Sequence, residues 1–182
     1  AVRMLDTDGD GCLESFCVWD TGEDGSTRFF GGPDAWGSDE APYGQARLPY
    51  ESMDVMSYCY DGRITLAEIS AILGNGEEEK WRAGAESVKK KLNSYLWWEE
   101  RGAMFDRDCD NKFLDTLIHN NLRVMYHGAY DKSKAHRFVR EHLTNPEEIF
   151  TPMPLTSIAA NDPLFVSDAY NNWSGQPEGL TY

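Results

Sequence analysis

The densest concentration of chemically useful residues is Trp19-Asp20-Thr21-Gly22-Glu23-Asp24-Gly25-Ser26-Thr27-Arg28-Phe29. Three carboxylates fall within five positions, with a tryptophan before them and Arg28-Phe29 after. Gly22 and Gly25 permit a sharply turned backbone that presses side chains into a cleft. A carboxylic acid set among aromatic rings suits glycosidic bond cleavage. Its pKa rises in such surroundings, so it still holds a proton to give the leaving oxygen near neutral pH. Arg28 can bind sugar hydroxyls or orient the acid. Residue types alone fit a solvated acidic loop, with Arg28 in a surface ion pair, at least as well.

A second candidate precedes it. Asp6-Thr7-Asp8-Gly9-Asp10-Gly11 opens like an EF-hand calcium loop, with carboxylates at positions 1, 3 and 5 and glycine at 6. Position 12 is Cys17, a poor ligand for a hard cation, and no helical pattern leads in. A tight turn, in which the aspartates bond their own backbone, is the favoured expectation. The alternative is a structural Ca2+ on Asp6, Asp8 and Asp10, with Glu14 as a further ligand.

The chain of 182 residues is 41% hydrophobic and 13% aromatic, enough to build a sizeable core. Its formal charge of −14 repels phosphate backbones and anionic membrane surfaces, so nucleic acid and membrane are not expected as partners. An acidic chain with 6 Trp and 9 Tyr suits a neutral polar ligand that stacks on rings, such as a carbohydrate. Cys12, Cys17, Cys59 and Cys109 match no zinc spacing and read as buried free thiols. Such thiols fit a reducing compartment, and no apolar run is long enough for a membrane span, so a cytoplasmic location is expected.

The elements that must position these residues are helical. Residues 1–60 form an aromatic, glycine-rich loop region; 61–145 read as helical hairpins; 146–182 read as a proline-rich substrate loop entering another helix. Leu66, Ile69 and Leu73 recur at helical spacing, with Gly74 as a C-terminal cap and Gly74-Asn75-Gly76 as the turn. A second helix is expected from Glu77 to Leu96, a third carrying Leu114, Leu117, Ile118, Leu122 and Met125, and a fourth over Lys132–Leu143, stopped by Asn145-Pro146. Stacked hairpins with loops at one end make a solenoid or a closed α/α toroid. His119-Asn120-Asn121 could face a pocket, although a core histidine is the simpler reading. Lys89-Lys90-Lys91 reads as a solvated face and Trp97-Trp98 as a helix-end anchor.

The run from Asp8 to Phe29 resembles the signature of the trehalase-like and family 63-like glycoside hydrolases of the mannosylglycerate and glucosylglycerate hydrolase type. Trp19, Thr21-Gly22, Asp24, Ser26 and Arg28-Phe29 match its block, while Asp20 stands where glutamate is frequent. Glu51 to Tyr58 is similar to the segment leading into the next barrel helix, and Leu66 to Gly74, Trp81 and Leu96-Trp97 resemble its helix pairs. Asn172-Trp173-Ser174-Gly175-Gln176-Pro177 resembles the substrate loop, departing at Gln176-Pro177 and lacking an arginine after Trp173.

The resemblance implies part of an all-α (α/α)6 toroid and an inverting hydrolase of an α-linked glucoside or mannoside. It makes Asp24 the general acid and assigns substrate binding to Trp19, Arg28, Phe29, Trp173 and Gln176. Asp54, in Glu51-Ser52-Met53-Asp54, is a rival acid without the surrounding Trp, Gly and Ser-x-Arg. The general base is implied to come from a later barrel segment, with Glu51 and Glu178 as in-chain alternatives. No cofactor is required by this chemistry. A non-catalytic sugar- or calcium-binding helical module is the competing expectation, and an epimerase on the same toroid a third. With no Met at position 1 and an unfinished pattern at Tyr182, the sequence reads as a fragment.

Overall fold

The computed structural model describes residues 6–16 and 48–165. Its backbone is mainly helical, with one packed helical hairpin followed by two shorter helices. Helix α1 spans Met53–Leu73 and α2 spans Glu78–Lys91, continued by a π-helical turn over Leu92–Leu96. Helix α3 is Asn120–Tyr126; α4 is Lys132–Phe138, likewise continued as a π turn to Leu143. Helix α1 packs against both α2 and α3.

Helix α1 starts earlier than its apolar periodicity suggests. The Asp106 carboxylate accepts the Met53 N–H at 2.9 Å, so a distant loop satisfies one orphan donor of the first turn. The helix ends where Gly74 takes φ 62°, and the N–H groups of Gly74 and Asn75 return to Ala71 and Ser70. The expected hairpin turn is therefore present. The expected buried stripe is not. Leu66, Ile69, Ile72 and Leu73 are exposed, Ile72 by 85%, while Met53, Met56, Ala67 and Ser70 are buried. Small residues win that face because they let α2 come close, with Ala85 buried there and Arg63 donating to the Gly84 carbonyl.

The third helix begins at Asn120, not at Leu114. The preceding backbone is spent on cross-chain bridges: Arg107 with Glu51 and Phe113, and Ile118 with Ile158. Those hydrogen bonds override the 3.6-residue pattern, although Leu117 and Ile118 are still buried. Two short antiparallel pairs complete the loop end. Strand β1 (Glu14–Ser15) pairs with β2 (Tyr50–Glu51), and β3 (Trp97–Trp98) with β4 (Ala103–Met104). The β3–β4 turn needs Gly102, whose φ is 65° and whose missing Cβ would lie 2.5 Å from the Glu141 carboxylate.

One core joins these parts: Leu13 and Met56, Leu92 and Leu96, Phe105, Phe138, Ile149 and Ile158 belong to it. Cys12, Cys59 and Cys109 are free thiols; Cys12 is buried as expected, but Cys109 is exposed. Among the described residues no helix is long and apolar enough to cross a membrane.

Candidate functional site

Asp24, Trp19, Arg28 and Phe29 fall in 17–47, and Trp173 and Gln176 in 166–182; all six lie outside the described residues. The two ends of the first of these segments are described. Strands β1 and β2 pair Glu14 with Glu51 and Ser15 with Tyr50, so Phe16 and Leu48 flank a closed stem. Ser52 donates its N–H to the Leu13 carbonyl at 2.9 Å, and β2 is bridged on its other side to Arg107. The stem runs directly into α1.

The aspartate turn leads into this stem. One carboxylate oxygen each from Asp6, Asp8 and Asp10 lie within 4.8 Å of one another. Asp8 Oδ1 also accepts the Asp10 N–H at 3.0 Å and Asp10 Oδ1 the Cys12 N–H at 2.6 Å, the self-bonded turn expected of Asx residues. Gly9 and Gly11 sit at φ 78° and 87°, which an L side chain rarely adopts. Lys91 caps the arrangement with a 2.7 Å contact to Asp10 Oδ2. Glu14 takes no part in the group: its carboxylate accepts the Thr7 N–H and, at 2.7 Å, the Thr7 hydroxyl. The expectation of Glu14 as a further ligand is thus replaced by a role as a clamp on the turn.

Glu51 lies on β2 and is 4% exposed. Burial, above all, pushes its carboxyl up to about 7, and the charges of Asp10, Asp8 and Glu14 add to the rise; the Cys12 thiol donating to it works the other way. The same burial, with Glu51 beside it, raises the Cys12 thiol.

Asp54, the rival acid, serves a different purpose. It is fully buried; its Oδ1 accepts from the Ser52 hydroxyl at 2.8 Å and its Oδ2 from the Arg123 guanidinium at 3.0 Å. This pair ties the start of α1 to α3. Arg123 carried no signal in the sequence, since only its apolar neighbours Leu122 and Met125 were read from the helical spacing. The lysine run is also less solvated than its composition implies, because Lys89 donates to the Gly128 carbonyl and Lys91 to Asp10. Trp98 stacks on Phe113 with centroids 4.7 Å apart, and Trp97 is buried and donates to Glu99, so the pair is the anchor expected of it.

The triplet His119-Asn120-Asn121 divides by role. His119 Nδ1 meets the Ser157 carbonyl at 3.0 Å. The Asn121 amide accepts the Met104 N–H, donates to the Met104 carbonyl and accepts from the Tyr130 hydroxyl. Asn120 is fully buried, yet among the described residues neither Nδ2 nor Oδ1 finds a hydrogen-bond partner. Each such atom costs about 1–3 kcal/mol if nothing satisfies it. His142 bridges the Glu148 carboxylate and the Arg101 carbonyl, and His127 faces Asp61.

Residues 3–177 match the mannosylglycerate hydrolase MGH1-like glycoside hydrolase domain family. The chain belongs to this family. Its fold is similar to that of the GH63 mannosylglycerate hydrolase from Thermus thermophilus in complex with glucose, at 15% identity and a TM-score of 0.71 over 96% of this chain and 51% of that one. It is also similar to neutral trehalase from Saccharomyces cerevisiae, at 16% identity and a TM-score of 0.59, covering 82% of this chain and 26% of the trehalase. The family domain spans about half the length of the Thermus enzyme and a quarter of the trehalase. Its helices are part of an (α/α)6 toroid.

Proposed function

We propose that the protein hydrolyses an α-linked glucoside or mannoside, of the glycosylglycerate or oligosaccharide type, with inversion at the anomeric carbon. The observation that carries this reading is the family match, whose bounds, residues 3–177, enclose the Trp19–Phe29 block. Asp24 is the general acid and protonates the departing oxygen. Trp19, Phe29 and Trp173 offer rings to the sugar faces, while Arg28 and Gln176 hold hydroxyls. The paired stem of β1 and β2 supports the assignment, because it brings Phe16 and Leu48, the described residues on either side of that segment, to one place.

Inversion needs a second, ionised carboxylate roughly 6.5–9.5 Å from the first, with room for water between them. Glu51 is buried against Cys12 with no open face for the attacking water, and Asp54 is committed to Arg123. The base therefore falls to Glu178 or to a later barrel segment. No cofactor enters these steps. The aspartate turn is suited to a structural Ca2+ on Asp6, Asp8 and Asp10, with Lys91 as its competitor for Asp10; a melting temperature unchanged by calcium and by chelator would remove the ion from the proposal.

The decisive experiment is Asp24→Asn in the full-length protein, assayed on mannosylglycerate and glucosylglycerate. Hydrolysis is expected to fall by about 10²–10⁴-fold, the usual contribution of a positioned acid. Early NMR spectra of the product should show the β-anomer first. Retained turnover in the variant would exclude Asp24 as the acid.

A further inference from the structure

Beside the aspartate turn the structure holds a cavity of about 220 Å³, walled by that turn, by α1 and by α2. Leu13, Met56 and Val88 give it an apolar lining, and two opposite charges share it: the Asp6 carboxylate and the Arg63 guanidinium. Both residues are partly buried, yet they do not pair with each other, and among the described residues neither joins any other ion pair. Lys91 serves Asp10 instead. Arg63 Nη1 donates to the Gly84 carbonyl at 2.7 Å, which fixes the guanidinium against α2 and leaves its other N–H groups for a further acceptor. The Cys59 thiol lines the same space; burial raises it, and the charge of Arg63 pulls it back. A partly buried charge without a partner keeps a solvation cost that an opposite ligand charge relieves.

The size and charge of this space select its ligand. Its volume equals that of about seven liquid waters and falls below the roughly 300–1,000 Å³ of sites for drug-sized molecules, so only a compact molecule fits. An anion would face Asp6 with Asp8 and Asp10 close by, in a chain of charge −14. A simple cation would face Arg63. A zwitterion meets both charges and adds none of its own. We infer that this cavity binds a compact zwitterion, an α-amino acid with a small side chain, its carboxylate on the Arg63 guanidinium and its ammonium on Asp6. The planar Arg–carboxylate pairing orients the molecule, and Leu13, Met56 and Val88 receive its side chain. The inference does not rest on the glycosidase reading.

The test is calorimetric titration of the whole chain with alanine in the presence of chelator, beside propionate and ethylamine, which carry one charge each. Alanine should bind with a Kd on the order of 1 mM, and each single-charge analogue about tenfold more weakly or worse. Arg63→Gln and Asp6→Asn should each weaken alanine by about tenfold or more. As a second readout, alanine at about ten times its Kd should slow the labelling of Cys59 by a small thiol reagent about tenfold, with the exposed Cys109 as the unprotected control. No binding of alanine and no protection of Cys59 mean a cavity filled with water only and overturn the inference. Propionate binding as tightly as alanine removes the Asp6 contact, ethylamine binding as tightly removes the Arg63 contact, and either result overturns the zwitterion. Should Arg63→Gln fail to fold for want of its bond to Gly84, Asp6→Asn and the Cys59 labelling decide.

Discussion

The two ends of the α1–α2 hairpin are built on opposite principles. At the turn end, Leu66, Ile69, Ile72 and Leu73 lie at the surface and the local hydrogen bonds come from a short segment, Ser70 to Glu77. At the loop end, charged and polar side chains are buried: Glu14, Glu51, Ser52, Asp54, Asp106, Asn120 and Arg123. Burying such groups is unfavourable unless each is paired, and most of these are paired by residues far away in the chain. The turn end is local and tolerant. The loop end is non-local and exacting, as expected where a fold must hold a site in place.

The largest effect that would sharpen this contrast is at Arg123. Arg123→Met takes the opposite charge away from the fully buried Asp54 and should cost about 3–5 kcal/mol in urea unfolding. Adding Asp54→Asn should recover part of the loss. A single-variant cost under 1 kcal/mol would mean that the pair is not buried in solution.

Glu51 comes next. Its folded carboxyl is raised from 4.5 to about 7, so the folded state binds the extra proton. Stability is full below pH 4.5 and is lost as pH rises through 7, by an amount on the order of 2–3 kcal/mol. Glu51→Gln should flatten that decline and raise the melting temperature at pH 8. A wild-type stability that does not fall between pH 5 and 8 would contradict the burial of this group.

The smallest effect belongs to the turn end. Ile72→Ser at an 85% exposed position should change stability by less than about 0.5 kcal/mol. A much larger loss would show that α1's outer face is covered in solution, and the contrast between the ends would weaken.

Much of the fold was legible. Gly74 marked the α1 terminus, and Asn145-Pro146 marked the stop after α4. The face of α1 was misread because periodicity identifies a stripe without saying what meets it, and here Ala67 and Ser70 pack while the leucines do not. The start of α3 was misread because Leu114, Leu117 and Ile118 fall at helical spacing, yet Leu114 donates its N–H to Asp106 and Ile118 is bridged to Ile158. For the site, the aspartate turn was legible in both its aspects, as an Asx turn and as a carboxylate group. The acid and its aromatic partners were named from the Trp19–Phe29 block and lie outside the described residues.

The sequence by itself determined the helical hairpins, the tight Asp-Gly turn and the family signature, because each depends on residues a few positions apart. Only the tertiary structure decided that Asp54 is an ion-pair partner, that burial raises the Glu51 carboxyl, and that Asn120 is buried with its amide unused. Those properties come from burial and from partners between 40 and 70 positions away, and desolvation has no signature in the order of residues along the chain.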